Sequence, residues 1–327
     1  MSHLLEITNL DVKFALRTGE VTAIDDLNLT LKKGERLGVV GESGAGKSVT
    51  GFSIINLIRK PGYIARGSIR FKGEAISSFS EEKMRSIRGN RISMIFQDPM
   101  MTLNPVLTIG TQMTEAILAH MDVSPKEAEA IALEKLAMVH IPSPGKRLKQ
   151  YPHEFSGGMR QRIVIAISLL TNPDLIIADE PTTALDVTIQ AEIMDLLIEL
   201  CESGEMSLIL ITHDLGVVAE TTERIAVMYA GRVIESGPTK EIIHNPAHPY
   251  TQGLIKALPE SRKPGEALYQ IPGMMPTLTD IPPGCAFNPR CPMRADLCTY
   301  KRPEAAFANE ASGHIALCHL VSGEITP

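Results

Sequence analysis

Residues Gly41 to Ser48 read G-E-S-G-A-G-K-S, a spacing suited to holding phosphate. Glycines in such a loop let backbone N–H groups turn inward around an anion, and the N-terminus of a following helix adds positive potential. The cradle takes in Gly41, Glu42, Ser43, Gly44, Ala45, Gly46, Lys47, Ser48 and Val49. Lys47 is placed to reach β- and γ-phosphates, and Ser48 to hold Mg²⁺. Further along, Leu175-Ile176-Ile177-Ala178 is an apolar run ending in Asp179 and Glu180. Asp179 suits a Mg²⁺ ligand, directly or through water, and Glu180 suits a general base that orients and polarises an attacking water. Between these lies Ser156-Gly157-Gly158, a turn opening a helix, which makes an anion site from hydroxyl and backbone donors. An acidic turn or a Ser-Gly-Gly loop alone is commonplace. Following a phosphate loop in this order, the two gain force.

The five cysteines pose a separate question. Cys201 stands alone in a helical stretch, whereas Cys285, Cys291, Cys298 and Cys318 cluster near the end with spacing C-x5-C-x6-C-x19-C. In a reducing compartment such a cluster suggests a metal centre rather than disulfides. The C-x2-C knuckles of structural zinc sites and the spacing of ferredoxins are both missing, so spacing alone does not name the metal.

Particular elements must position these residues. Arg36 to Val40 reads as a buried strand before the phosphate loop, and Val49 to Leu57 as a helix after it. Leu5 to Leu31 alternates apolar and polar residues around Gly19, as an antiparallel sheet does. Further strands are expected at Ile69–Phe71, Arg91–Gln97, Leu175–Ala178 and Ser207–Thr212, with a hairpin closing around Ala230-Gly231. From Met101 to about Leu148 the character is helical: Ile109 to Met121 has helical periodicity, and Ser124-Pro125-Lys126-Glu127 is a capping box. Helices are also expected over Gln161–Leu170, Ile189–Leu200 and Tyr250–Leu258, followed by an irregular tail. The pattern is α/β with an inserted helical block.

With 327 residues and 44% hydrophobic content, the chain is ample for one large domain and a smaller one. A net charge of −6 argues against a general nucleic-acid binder. Membrane-spanning apolar stretches are missing, and the start lacks the basic and apolar regions of a signal peptide, so a cytoplasmic location is expected.

The three motifs, in this order, make residues 5 to 250 resemble the ATP-binding subunit of an ABC transporter. The resemblance implies a P-loop NTPase of ABC type, with a RecA-like core, an antiparallel β subdomain and a helical subdomain over about 98–170. It implies ATP and Mg²⁺ as ligands, and Lys47, Glu180 and His213 as catalytic residues. Gln97 matches the glutamine that senses Mg²⁺ and the attacking water. Ala184-Leu185-Asp186 matches the loop that crosses a dimer interface, His213 the γ-phosphate contact, and Phe14 the ring that stacks on adenine. Ser156, Gly157 and Gly158 match the signature that serves the nucleotide on an opposite subunit. One departure is Met159, where the family usually has a glutamine whose polar contacts Met cannot make.

The tail narrows the resemblance. His248-Pro249-Tyr250 is similar to the motif of peptide and nickel importers, and the region of the four cysteines to that of dipeptide and oligopeptide permease ATPases, closest to the dipeptide branch. This implies a domain over residues 1–250, a smaller irregular one over 251–327, and a [4Fe–4S] cluster on Cys285, Cys291, Cys298 and Cys318, with zinc as the alternative. His314 and His319 are candidates to replace a ligand, their plainer reading being surface histidines. The implied function is to energise dipeptide import from the cytoplasmic face of the inner membrane. Implied partners are a sister ATPase subunit, two transmembrane permease subunits and, indirectly, a periplasmic binding protein, with no nucleic acid. Oligopeptide, nickel or opine import is the alternative. A soluble ABC ATPase of DNA repair or translation is the rival of another class, but it usually carries two ATPase modules or long coiled-coil insertions.

Overall fold

The computed structural model describes residues 3–183, 185–204, 206–258 and 269–326. It divides into two compact units, the first formed by Met1–Leu31, Arg36–Ser77 and Ile211–Pro327, the second by Lys32–Glu35 and Ser78–Leu210.

In the first unit, β1 (Leu5–Leu16) and β2 (Gly19–Leu31) pair antiparallel about a two-residue turn at Arg17 and Thr18. The next strand, β3 (Arg36–Val40), runs through the phosphate loop into α1 (Lys47–Ile54). The expected short strand at Ile69–Phe71 extends over ten residues as β4 (Gly62–Phe71), because β1 continues to pair with it down to Phe14↔Gly62. With β5 (Glu74–Ala75), these form a sheet of order β2-β1-β4-β5.

The second unit carries three neighbouring strands, β6 (Ile92–Ile95), β7 (Leu175–Asp179) and β8 (Ser207–Thr212). The unit boundary passes within β8, between Leu210 and Ile211. Every residue of β7 and β8 is buried, which explains their continuous apolar runs. Burying each of Ile176 and Ile177 contributes roughly 1.5–3 kcal/mol.

The helical block of this unit includes α2 (Glu81–Arg85), α3 (Pro99–Thr102), α4 (Ile109–Leu118), α5 (Pro125–Met138), α6 (Pro144–Arg147) and α7 (Gly157–Ser168). Ile109, Met113 and Ile117 form the buried stripe of α4. The capping box forms as expected: Ser124 Oγ accepts from Glu127 N at 3.3 Å, and Glu127 Oε2 accepts from Ser124 N at 2.8 Å. α7 starts four residues before its expected position because Ser156 caps it and its two glycines are helical despite low propensity. α8 (Val187–Gly204) completes the unit.

Back in the first unit, α9 (Leu215–Thr221) leads to β9 (Arg224–Tyr229) and β10 (Arg232–Pro238). Ala230 and Gly231 both have positive φ, 46° and 81°, as a two-residue hairpin turn demands. β9 also pairs parallel with β3. After α10 (Thr239–His244) and α11 (Pro249–Lys256), the tail is less irregular than its sequence suggests. A short helix, α12 (Leu297–Tyr300), precedes the hairpin β11 (Ala305–Asn309) and β12 (His314–Leu317), and β12 pairs with β10 at Glu235↔Ala316 and Ser236↔Ile315. These strands are only five and four residues long, too short for periodicity to mark them as strands.

Candidate active site

The first unit shapes the phosphate loop. A Cβ on Gly41 would lie 2.3 Å from the Met228 carbonyl oxygen, so only glycine lets the loop approach β9 this closely. Gly46, at φ 102°, turns the chain into α1. The same hairpin holds the loop from behind, where Gly231 N donates to Ala45 O at 3.0 Å. Lys47 is buried, and its Nζ donates to the Gly41 and Glu42 carbonyls at 2.8 and 3.0 Å, placing the ammonium inside the loop's curve. Ser48 and Val49 are half-buried on the first turn of α1, while Ser43 and Gly44 are exposed.

Phe14 and His213 belong to this unit too. The Phe14 ring covers Gly62, where a Cβ would sit 2.7 Å from Phe14 Cε1, and it remains half-exposed. His213 is exposed directly after β8, and the next residue, Asp214, caps α9 by accepting from Gly216 N and Val217 N at 2.9 and 3.2 Å.

The second unit brings Gln97, Asp179 and Glu180 together. Asp179 is buried at the end of β7. Glu180 follows at φ 46°, a left-handed conformation rare for glutamate and costing of order 1–3 kcal/mol. Its Oε2 accepts from Gln97 Nε2 and from Thr183 Oγ1, both at 3.0 Å. Nothing in the spacing of the motifs points to Thr183.

In the same unit, Ser156 Oγ accepts from Met159 N at 3.4 Å, so the hydroxyl caps α7. Gly157 and Gly158 are half-buried, and a Cβ on Gly158 would lie 2.7 Å from Ile189 Cγ2. Asp186 Oδ1 accepts from Ile189 N at 3.0 Å, making it the cap of α8. Ala184 of the expected Ala184-Leu185-Asp186 loop lies outside the described residues.

The four clustered cysteines line one small cavity with His248, Phe287 and His319. Disulfides do not form among the five cysteines. Gly284 makes the convergence possible, since a Cβ there would lie 2.3 Å from the Cys298 carbonyl oxygen. Burial pushes the Cys285 thiol up to about 11 and raises Cys291 and Cys318 as well. Among the described residues, no three His, Cys, Asp or Glu side chains converge closely enough to hold a single metal ion.

The two histidines near Cys318 are not surface residues but buried ones with structural partners. His314 Nε2 lies 2.7 Å from Glu235 Oε1. His319 uses Nδ1 on Glu324 and Nε2 on the Lys301 carbonyl, 2.9 Å away.

Comparison with known proteins decides the family. The family described as "ABC transporter" matches residues 24–183, and "Oligopeptide/dipeptide transporter, C-terminal region" matches residues 234–298. The dipeptide transport ATP-binding protein DppD of Bacillus subtilis is 50% identical over 323 residues, covering 98% of this chain and 95% of that protein. The chain belongs to the ATP-binding subunits of peptide-import ABC transporters. The oligopeptide transport ATP-binding protein OppD of Salmonella typhimurium is 48% identical, covering 93% of this chain and 91% of its own. Among solved structures, a post-hydrolysis dimer of the ATP-binding cassette MJ0796 bound to ADP and Pi is similar at TM-score 0.65 and 28% identity, covering 72% of this chain and 98% of its own. This peptide-import subunit is thus an ATPase coupled to transport, with permease and ATPase partners implied. Among its described residues, no helix is long and apolar enough to cross a membrane.

Proposed function

We propose that this subunit binds and hydrolyses Mg²⁺–ATP at Gly41–Ser48 to drive dipeptide import. The observation that carries the catalytic reading is Glu180, held in a strained backbone conformation with its carboxylate fixed by Gln97 and Thr183. In this reading Glu180 orients and polarises the attacking water, while Lys47 and His213 stabilise charge developing on the γ-phosphate. Ser48, Gln97 and Asp179 are the residues that would hold Mg²⁺, which would neutralise the phosphate oxygens. Phe14 offers its ring face to adenine.

Ser156, Gly157 and Gly158, with Asp186, serve the nucleotide of a sister ATPase subunit, and Met159 makes the two composite sites unequal. Residues 1–250 form the ATP-binding domain, with its helical subdomain at about 98–170, and 251–327 the extension. The assembly would lie on the cytoplasmic face of the inner membrane, against two permease subunits fed by a periplasmic binding protein. Glu180→Gln, which keeps an oxygen acceptor but loses the charge, should bind ATP and turn it over at least a hundredfold more slowly. Near-normal turnover in the assembled transporter would remove Glu180 as the base. Uptake of labelled dipeptides competed by longer peptides tests the substrate class.

The tail is read as holding a [4Fe–4S] cluster on Cys285, Cys291, Cys298 and Cys318. The fit comes from the donor set: four thiols on one cavity, too dispersed for a single zinc ion, in surroundings that disfavour thiolates unless a cation balances them. Such a centre would cross-link the tail, and ATP-driven import gives it no electron to carry. Anaerobic purification with iron, sulfide and zinc analysis tests it, and stoichiometric zinc without sulfide would reject it.

A further inference from the structure

An acidic residue stands second in the phosphate loop, where its carboxylate opposes the binding of a polyanion. The first unit answers with a cation from far along the chain. Arg290 Nη1 donates to both Glu42 oxygens at 3.0 Å, and the Arg290 side chain is only 6% exposed. Its Nε and Nη2 donate to the Pro272 and Ile271 carbonyls at 2.9 and 3.5 Å. The guanidinium also lies near the rings of Tyr229 and Phe287. The backbone of Glu42 is held as well, its N–H donating to the hydroxyl of the buried Tyr250 at 2.9 Å. Glu42 is therefore fixed at both its side chain and its amide, and its own carbonyl receives Lys47.

We propose that Arg290 is a positioning residue for ATP: it neutralises Glu42, draws that carboxylate away from the phosphates, and so lets the C-terminal extension set the affinity of the phosphate loop. The ion pair is partly buried and its arginine is locked by carbonyls, so the pairing is far less screened than one on an open surface. Removing only the arginine leaves a half-buried carboxylate uncompensated beside the anion site. Removing both charges relieves that conflict. A purely structural tie would behave differently: either deletion would break it, and the double variant would stay as weak as the single ones.

The proposal rests on reading Gly41–Ser48 as the ATP cradle, and the test separates the two. Binding of a fluorescent ATP analogue with Mg²⁺ to the full chain is measured for Arg290→Met, Glu42→Gln, the double variant and Lys47→Ala, together with KM and kcat in the assembled transporter. Arg290→Met should weaken binding at least tenfold and raise KM with kcat within threefold. Glu42→Gln, which removes the carboxylate and leaves the cation, should tighten binding, and the double variant should return to within threefold of the parent. Unchanged affinity in Arg290→Met, or a loss that Glu42→Gln does not rescue, overturns the proposal. Should Arg290→Met fail to fold, the charge swap Glu42→Arg with Arg290→Glu takes its place. Recovery of affinity in that swap supports the pairing, and failure of a folded swap to bind overturns it. Retained binding in Lys47→Ala would instead overturn the ATP-site reading itself.

Discussion

Turnover should depend on how firmly Glu180 is held, and the structure gives a measure of that hold. Two donors reach the same carboxylate oxygen, Gln97 Nε2 and Thr183 Oγ1, both at 3.0 Å. A hydrogen bond to a charged group is worth about 1.5–3 kcal/mol. Gln97 and Thr183 are both exposed, which brings each bond down to about 1 kcal/mol, or roughly fivefold in rate. Against this stands the left-handed backbone at Glu180, which favours relaxation once the side chain is released. Gln97→Ala and Thr183→Val should each lower kcat about fivefold, with the KM for Mg²⁺–ATP unchanged in Thr183→Val and raised in Gln97→Ala, whose side chain is also read as a Mg²⁺ contact. The double variant should fall more than twentyfold. Thr183→Val keeps the turn, since Thr183 N still donates to Glu180 O at 3.2 Å. ATPase assays on the assembled transporter decide. A double variant within twofold of the parent would show that the two donors do not position the base.

Other outcomes can be checked on the isolated chain. Desolvation holds His248 down to about 4 from 6.5, so the folded chain keeps it neutral. Its stabilisation is full above pH 6.5 and is lost as pH falls through about 4; at about 1.4 kcal/mol per unit it amounts to roughly 3 kcal/mol. Melting temperatures measured from pH 7 to 4 should fall less steeply in His248→Asn. Equal slopes would contradict the assignment. Gly284→Ala should force the Cys298 carbonyl aside and make the tail thiols more reactive toward a maleimide at pH 7, with unchanged labelling rates counting against the close approach. Ser124→Ala removes one half of the capping box of α5 and should cost about 1 kcal/mol in urea unfolding, leaving ATP binding unaffected.

What was legible in the sequence was local. The phosphate loop, the acidic end of β7 and the capping box of α5 are set by residues within a few positions of one another, so spacing alone reveals them. The pairing of Gln97 with Glu180 was not readable from spacing, because the two meet across neighbouring strands 83 residues apart. The hairpin of the tail escaped for a different reason. Its strands are only five and four residues long, and they are held by pairing, β11 with β12 and β12 with β10. The two histidines expected at the surface are buried by partners distant in sequence: His314 meets Glu235, which also accepts from Ala247 N at 2.7 Å and His248 N at 3.0 Å, and His319 meets Glu324 and the Lys301 carbonyl.

The His-Pro-Tyr motif shows why such residues can mark a family without disclosing their work. His248 caps α11 through Nδ1, which accepts from Tyr250 N at 3.1 Å, and this needs the neutral ring that burial enforces. The cap fixes the first turn of α11, and that turn aims the Tyr250 hydroxyl at the amide of Glu42. Tyr229 and Phe287 wedge the same ring from two sides, with centroids at 4.7 and 5.4 Å. Protonating His248 would remove the acceptor, release the turn and loosen the phosphate loop at Glu42. Acid should therefore weaken ATP binding before it unfolds the chain, and Tyr250→Phe, which cannot accept that hydrogen bond, should show the weakened affinity already at pH 7. If Tyr250→Phe binds the fluorescent ATP analogue as tightly as the parent, the motif supports only the fold of the extension and not the phosphate loop.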